Sequence, residues 1–128
     1  MVRIVVAAMV VGLVTAAPGR AAESCETLSY AEQEACWPRR LAAQAQQMKK
    51  LVEARIRRIG PDEVTDEARR DAFAQVIRRS QAAWETYRDT ECGELDHMMR
   101  RHIMAAISNC KADLNAARLE TLRRNVGP

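Results

Sequence analysis

Hydrophobic residues recur along most of the chain at intervals of three and four positions, which places their side chains on one face of an α-helix. Between Arg39 and Ile59 this face carries Leu41, Ala45, Met48, Val52, Ile56 and Ile59. Glutamine and basic residues fill the positions between them, as expected for an amphipathic helix. No segment alternates apolar and polar residues in the manner of a strand, so the predicted class is all-α.

A second helix contains most of the chain's few aromatic residues. Its predicted apolar face carries Phe73, Ile77, Ser80, Trp84 and Tyr87. Gly60 and Pro61 end the preceding helix, and either Asp62 or Thr65 can cap this one. Gly93 follows Cys92 and is predicted to be the first residue beyond the helix C-terminus.

A short helix is predicted before these two. Ser29 is a suitable N-cap, and Glu32 lies three residues later, which is the spacing of a capping box. The helix should run from Tyr30 to about Cys36, where Pro38 closes or bends it. The predicted fold is a small bundle of three main helices preceded by this short one.

The last third of the chain contains a conflict. Apolar or small residues hold one helical phase at Leu95, Met99, Ile103, Ile107, Cys110, Leu114, Ala117 and Thr121, which predicts one helix over residues 94–123. Such a helix would separate residue 94 from Cys110 by about 24 Å at 1.5 Å per residue. A disulfide requires Cα atoms within about 7 Å. If Cys92 pairs with Cys110, the chain must therefore turn back near residues 98–102.

The first 21 residues have the features of a secretory signal peptide. Arg3 precedes an apolar run over residues 4–17, and small residues follow it at the expected cleavage site. The run is shorter than the roughly 20 residues of a membrane-spanning helix, which disfavours the alternative of an uncleaved anchor. An acidic residue just before the first cysteine disfavours lipid attachment. We therefore expect residues 22–128 to form the exported domain, with no stable membrane anchor.

Charge excludes some partners. The whole chain has 20 basic and 17 acidic residues. Loss of Arg3 and Arg20 with the signal peptide leaves 18 basic residues, a net charge of +1. Such a protein offers no electrostatic case for binding nucleic acid or an anionic membrane.

The sequence contains little that suggests catalysis. His97 and His102 are five residues apart, so they lie on different sides of a helix and cannot jointly hold a metal ion. No nucleophile motif and no glycine-rich phosphate loop is present. We therefore expect a protein that is not an enzyme and that uses neither a cofactor nor a metal.

Four cysteines in an exported chain of this size indicate two disulfides, for which three pairings exist. An extended segment before Ser29 would let Cys25 fold back onto Cys36, although eleven helical residues would span about 16 Å. A link between Cys36 and Cys92 remains an alternative.

The motif W-x-x-Y-R-D-x-x-C, a later cysteine and an Arg-Leu helix together resemble the LprI-like family of small secreted bacterial helical proteins, named after a lysozyme inhibitor. The residues that carry the resemblance are Trp84, Tyr87, Arg88, Asp89, Cys92, Cys110, Arg118, Leu119 and Leu122, together with Cys25 and Cys36. The resemblance implies a disulfide-linked helical protein that binds another protein, with lysozyme as the ligand class and occlusion of its cleft as the mechanism.

With this resemblance, the favoured pairing is Cys25 with Cys36 and Cys92 with Cys110. Relatives carry a glycine-containing loop between the second pair, whereas residues 98–102 of this chain contain no turn residue. The pairing is still favoured because an unpartnered thiol is unusual in an exported protein.

A turn near residue 101 would set Trp84 opposite Arg118. Arg118 could then stack on the indole or pair with Glu85. The structural signature of the resemblance, Trp84, Tyr87, Arg88, Asp89, Arg118 and Leu122, is therefore interpreted as a brace between two helices. The alternative interpretation of these positions is a binding groove.

Two groups are candidates for contact with a protein partner. An acidic N-terminal segment contains Glu23, Glu26, Glu32 and Glu34, and a basic pair, Arg100 and Arg101, lies at the predicted turn. Animal lysozymes are basic with two carboxylates in the cleft, so an acidic surface or a basic finger would complement them. Candidates for an apolar contact patch are Tyr30, Trp37, Met98, Met99 and Met104, with core packing as the competing account.

In a second hypothesis the protein has the same fold but a different role. It is then a periplasmic interaction or envelope-stress protein without affinity for lysozyme. A third, binding of a metal or small molecule, has no supporting cluster of residues.

Overall fold

The computed structural model describes residues 24–59, 66–98 and 103–126. A 3₁₀-helix, Cys25–Thr27, precedes four α-helices: α1 (Tyr30–Arg57), α2 (Glu67–Gly93), α3 (Leu95–Met98) and α4 (Ile103–Val126). No strand occurs among these described residues, and the prediction of an all-α fold with three main helices is confirmed. Several predictions fall outside the described residues: the signal peptide, Glu23, Gly60, Pro61, Asp62, Thr65, Met99, Arg100, Arg101 and His102.

Helix α1 continues through Pro38, so the predicted break into a short and a long helix is wrong. Cys36 and Trp37 before the proline, and Met48 and Val52 after it, are all buried in clusters that include residues of α4. A proline in a helix interior costs roughly 3 kcal/mol. Burying each large apolar side chain stabilises the fold by about 1.5–3 kcal/mol, so the packing on both sides of Pro38 outweighs that cost.

The helix N-termini are capped locally. The predicted capping box is present, because the Glu32 carboxylate accepts a hydrogen bond from the backbone N–H of Ser29 at 2.9 Å. At the start of α2 the N-cap is Asp66, which accepts from the N–H of Ala68 at 3.0 Å. The cap therefore differs from both residues that the sequence suggested.

The chain reverses between α2 and α4. Gly93 is the last residue of α2 rather than the first beyond it, and Glu94 in the right-handed helical region connects it to α3. The Cα atoms of Cys92 and Cys110 are 5.7 Å apart, which brings the end of α2 beside α4. The prediction of one continuous helix over residues 94–123 is therefore wrong. Most of the predicted turn, residues 98–102, lies outside the described ranges.

Helices α1 and α4 run parallel, and α2 runs antiparallel to both. Trp37 near the start of α1 packs in one cluster with Ala112 in the first half of α4. Further along both helices, Met48 and Leu122 pack in a second cluster with Ile77 of α2. The contact between α1 and α4 is the most extensive one in the bundle.

The buried faces of α2 and α4 are offset from the predicted apolar faces. Buried positions of α2 are Ala74, Ile77, Gln81 and Cys92, and those of α4 are Ala112, Asn115, Leu119 and Leu122. Phe73 and Tyr87, predicted to face inward, are 44% and 52% exposed. Gln81 and Asn115 are polar but occupy core positions. The pattern of hydrophobic residues in the sequence assigns both of them to the surface.

Candidate functional site

Two disulfides lie at one end of the bundle, where α1 and α4 begin and α2 ends. We call this end the disulfide end. Cys25 is linked to Cys36, with Cα atoms 5.7 Å apart, and Cys92 is linked to Cys110. This is the favoured pairing, and the alternative link between Cys36 and Cys92 is not formed. The first bond fastens the 3₁₀-helix to α1, and the second fastens α2 to α4.

A groove opens at the disulfide end between the first turns of α1 and α4. It is lined by Tyr30, Gln33, Glu34, Trp37, Pro38, Met104, Ala105 and Ser108, and its volume is about 240 Å³. We call it the end groove. Its lining is mainly apolar, with Trp37 only 4% exposed while Tyr30 and Met104 are 56% and 69% exposed.

Trp37 is both a core residue and part of the groove wall. Its ring packs beside the first disulfide, and the Arg40 guanidinium lies 5.5 Å from the ring centroid. The buried indole Nε1–H has no hydrogen-bond acceptor among the described residues. Burying a donor without an acceptor lowers the stability of the fold. The burial of this N–H group is therefore not explained by folding alone.

The acidic residues predicted for partner contact have different surroundings. Glu34 lines the end groove. Glu26 accepts a hydrogen bond from the Ser24 hydroxyl at 2.6 Å and pairs with Arg40 at 3.4 Å. The Ser24 bond is the main reason that the pKa of Glu26 is lowered. The pKa of Glu32 is lowered by its hydrogen bonds to Ser29 within the capping box.

Trp84 forms the centre of the predicted brace. The guanidinium carbons of Arg88 and Arg118 lie 5.6 and 5.5 Å from its ring centroid. Arg118 therefore adopts the stacked alternative and donates its Nε–H to Gln81 Oε1 at 3.1 Å, while Glu85 accepts from Gln81 at 3.0 Å. Burial lowers the pKa of Arg118, and the nearby Arg55 charge adds to this effect.

A hydrogen-bond chain through buried Asn115 joins all three long helices. Arg88 Nη1 of α2 donates to Asn115 Oδ1, and Asn115 Nδ2 donates to Gln44 Oε1 of α1, both at 3.0 Å. Gln44 Nε2 then donates to the carbonyl of Ala112 at 3.0 Å. Asn115 is 1% exposed. Sequence reasoning missed Gln44 and Asn115, although Asn115 lies at helical spacing between two core residues.

Asp89 completes this polar chain at the surface. It accepts from Arg88 at 2.8 Å and from Lys111 of α4 at 3.0 Å. Partial burial alone would raise the pKa of Asp89, but the hydrogen bonds from Lys111 and Arg88 outweigh it and the pKa is lowered. Of the other predicted signature residues, Leu122 is a core residue at 2% exposure, and exposed Tyr87 has no hydrogen bond to a described residue.

The described part of the chain contains neither a metal-binding cluster nor a membrane-spanning helix. Within residues 24–59, 66–98 and 103–126, no group of three or more His, Cys, Asp or Glu side chains is arranged to hold a metal ion. Over the same ranges, no helix combines the length and apolar character needed to cross a membrane.

A family model described as lysozyme inhibitor LprI matches residues 22–122 of the chain. The match spans 101 of the 128 residues and confirms the resemblance carried by the motif from Trp84 to Cys92. Searches of curated proteins and of solved structures give no match.

Proposed function

The chain belongs to the family of the lysozyme inhibitor LprI, and we propose that it is an exported protein that binds a muramidase and blocks its substrate cleft. In this proposal residues 1–21 are a signal peptide, and residues 22–128 act in the periplasm or outside the cell. The family match begins at residue 22, the first residue after the proposed cleavage, which supports this division.

The end groove is the observation that carries the proposal. Protein interfaces are anchored by a few large side chains that fill pockets and lose their contact with water. Tyr30 and Met104 are large and more than half exposed, and they stand beside a groove with buried Trp37 in its wall. The volume of about 240 Å³ lies below the roughly 300–1,000 Å³ of typical small-molecule pockets. It therefore suits one or two side chains of a protein partner.

Charge around the groove supports a basic partner. Glu34 lines the groove, and Glu26 and Glu32 lie on the same N-terminal segment with side chains at the surface. Animal lysozymes are basic, so these carboxylates would meet complementary charge at close range. A domain with a net charge of +1 provides no long-range attraction, so we expect an ordinary association rate without strong electrostatic steering.

A second contact in this proposal comes from Arg100 and Arg101. Both residues lie outside the described ranges. In the sequence only His102 separates them from α4, the helix that contributes Met104 to the groove. Guanidinium groups form strong bidentate hydrogen bonds with carboxylates. In this proposal the arginine pair enters the cleft of the muramidase and approaches its two catalytic carboxylates.

The test is a titration of the oxidised mature domain into hen-type and bacterial-type muramidases, following the heat of binding and the rate of cell-wall lysis. Binding with loss of lysis is the expected result. Replacing both Arg100 and Arg101 with alanine should then reduce inhibition. An unchanged inhibition constant would exclude the proposed contact of this arginine pair with the cleft. If no muramidase binds a folded, oxidised sample, the proposal fails and the role as an envelope interaction protein is favoured.

A further inference from the structure

Helix α2 carries a second apolar stripe that faces solvent. The outer stripe consists of the large residues Phe73, Val76 and Tyr87 with the small residues Ser80 and Ala83 between them, and all five are exposed. Its three large members are 44%, 51% and 52% exposed. The buried face of the same helix runs instead through Ala74, Ile77 and Gln81. A single exposed apolar residue is ordinary, whereas an aligned row of them on one helix indicates a contact surface.

The spacing of the outer stripe is that of a coiled-coil seam. Its members follow one another at alternating steps of three and four residues, which matches the hydrophobic repeat of paired helices. From Phe73 to Tyr87 the stripe extends over about 21 Å at 1.5 Å per residue. This length is sufficient for a side-by-side contact with another helix.

The two ends of the stripe are complementary when a second copy runs in the opposite direction. Pairing centred on Ser80 places Phe73 of one copy opposite Tyr87 of the other, and it places Val76 one position away from Ala83. It also places Arg69 opposite Glu91, because both lie four residues beyond the aromatic residues at the two ends. Arg69 and Glu91 are exposed, and neither forms an ion pair with another described residue. In a dimer with a two-fold axis, each of these contacts would therefore occur twice.

We propose that the outer stripe binds a second copy of this chain, with the two α2 helices antiparallel and the two-fold axis near Ser80. Apolar contact between Phe73 and Tyr87 and the ion pairs between Arg69 and Glu91 select this partner over an unrelated helix. The end groove is formed by α1 and α4, so each subunit keeps its groove in the dimer. The dimer does not depend on binding to a muramidase.

Sedimentation velocity of the oxidised mature domain, from about 1 μM to about 1 mM, tests the association over the range in which weak dimers form. We expect a monomer–dimer equilibrium that Phe73→Glu weakens at least tenfold. Gln75→Glu is the matched control, because Gln75 is exposed on the opposite side of α2 and its substitution adds the same charge. Circular dichroism should show that both variants are folded.

Charge exchange tests the register. Arg69→Glu and Glu91→Arg should each weaken the dimer, and the double variant should restore it because the ion pairs re-form with reversed sign. A wild-type domain that is monomeric at every concentration would overturn the proposal. An equal effect of Phe73→Glu and Gln75→Glu, or a double variant no better than the single ones, would also overturn it.

Discussion

The disulfide end of the bundle and the opposite end are stabilised by different means. At the disulfide end the buried cluster consists of the linked Cys25 and Cys36, the small Ala112 and one large residue, Trp37. Toward the ends of α1 and α4, the buried cluster consists of Met48, Val52, Ile77, Leu119 and Leu122, without any covalent link. We call this second region the apolar end. Because disulfides hold the first region, its large apolar side chains can remain at the surface as a groove.

This difference explains how a small domain can expose Tyr30 and Met104 without losing its fold. Domains of about 100 residues have limited apolar burial, and a contact surface reduces it further. Cross-links compensate by restricting the unfolded chain rather than by adding core volume. Stability and binding should therefore respond separately to changes at the two ends.

The largest expected effect on stability comes from the apolar end. Leu122→Ala removes a side chain that is 2% exposed and should lower the free energy of unfolding by about 2–5 kcal/mol. Met104→Ala, at a position that is 69% exposed, should change it by less than about 0.5 kcal/mol. Denaturant unfolding of both variants measures the contrast. Equal losses would show that the two ends do not differ in the way described.

Removing the first disulfide should affect both stability and binding. Cys25→Ser combined with Cys36→Ser opens a loop with a sequence separation of 11 and should cost about 3 kcal/mol. The 3₁₀-helix then loses its attachment beside Trp37. The affinity of the folded domain for a muramidase should therefore fall, in addition to any loss of binding that unfolded protein causes. Binding measured well below the unfolding transition separates the two effects. Unchanged affinity would mean that the first disulfide only stabilises the fold.

Asn115 lies between the two ends and connects the three long helices. Asn115→Ala leaves Gln44 and Arg88 without this buried partner and should cost about 1–3 kcal/mol. Asn115→Asp keeps an acceptor for Arg88 but removes the donor to Gln44, so it should cost less than the alanine variant at neutral pH. Thermal unfolding of the two variants measures the order, and a reversed order would contradict the assigned donor directions.

The smallest expected effect is a dependence on pH. The pKa of Asp89 is lower in the folded state than its ordinary value of 3.8, so its ion pairs stabilise the fold fully above that value. This contribution is lost as the pH falls through the lower, folded-state pKa. Asp89 is half exposed, so the loss should stay below about 1 kcal/mol. Asp89→Asn should flatten the stability profile below pH 4, and an unchanged acid profile would contradict this account.

Local signals in the sequence were sufficient for much of the fold. Helical periodicity gives the class, the Ser29 and Glu32 spacing gives a cap, and an antiparallel register about residue 101 places Arg118 against Trp84. These features depend on neighbouring residues or on one cross-link, so they can be deduced without the tertiary structure. The match between that register and the observed stacking follows from the bond between Cys92 and Cys110.

The helix faces and the groove could not be predicted in the same way. A hydrophobic count cannot recognise that Asn115 is buried, because its burial depends on partners from two other helices. It also assigns Phe73 and Tyr87 to the core, since an apolar stripe that contacts another chain has the same periodicity as one that contacts the core. Pro38 is similar: its local effect predicts a helix end, and only packing with α4 explains why the helix continues.

The central claim is that the end groove binds a muramidase. Calorimetric titration of two charge-matched variants tests this claim most directly. Glu34→Lys changes the groove lining, whereas Glu67→Lys makes the same substitution at the start of α2, at the opposite end of the bundle. With a muramidase that binds the wild-type domain, we predict at least a tenfold loss of affinity for Glu34→Lys, which is about 1.4 kcal/mol, and less than a twofold change for Glu67→Lys. Equal affinities for the two variants would contradict the claim.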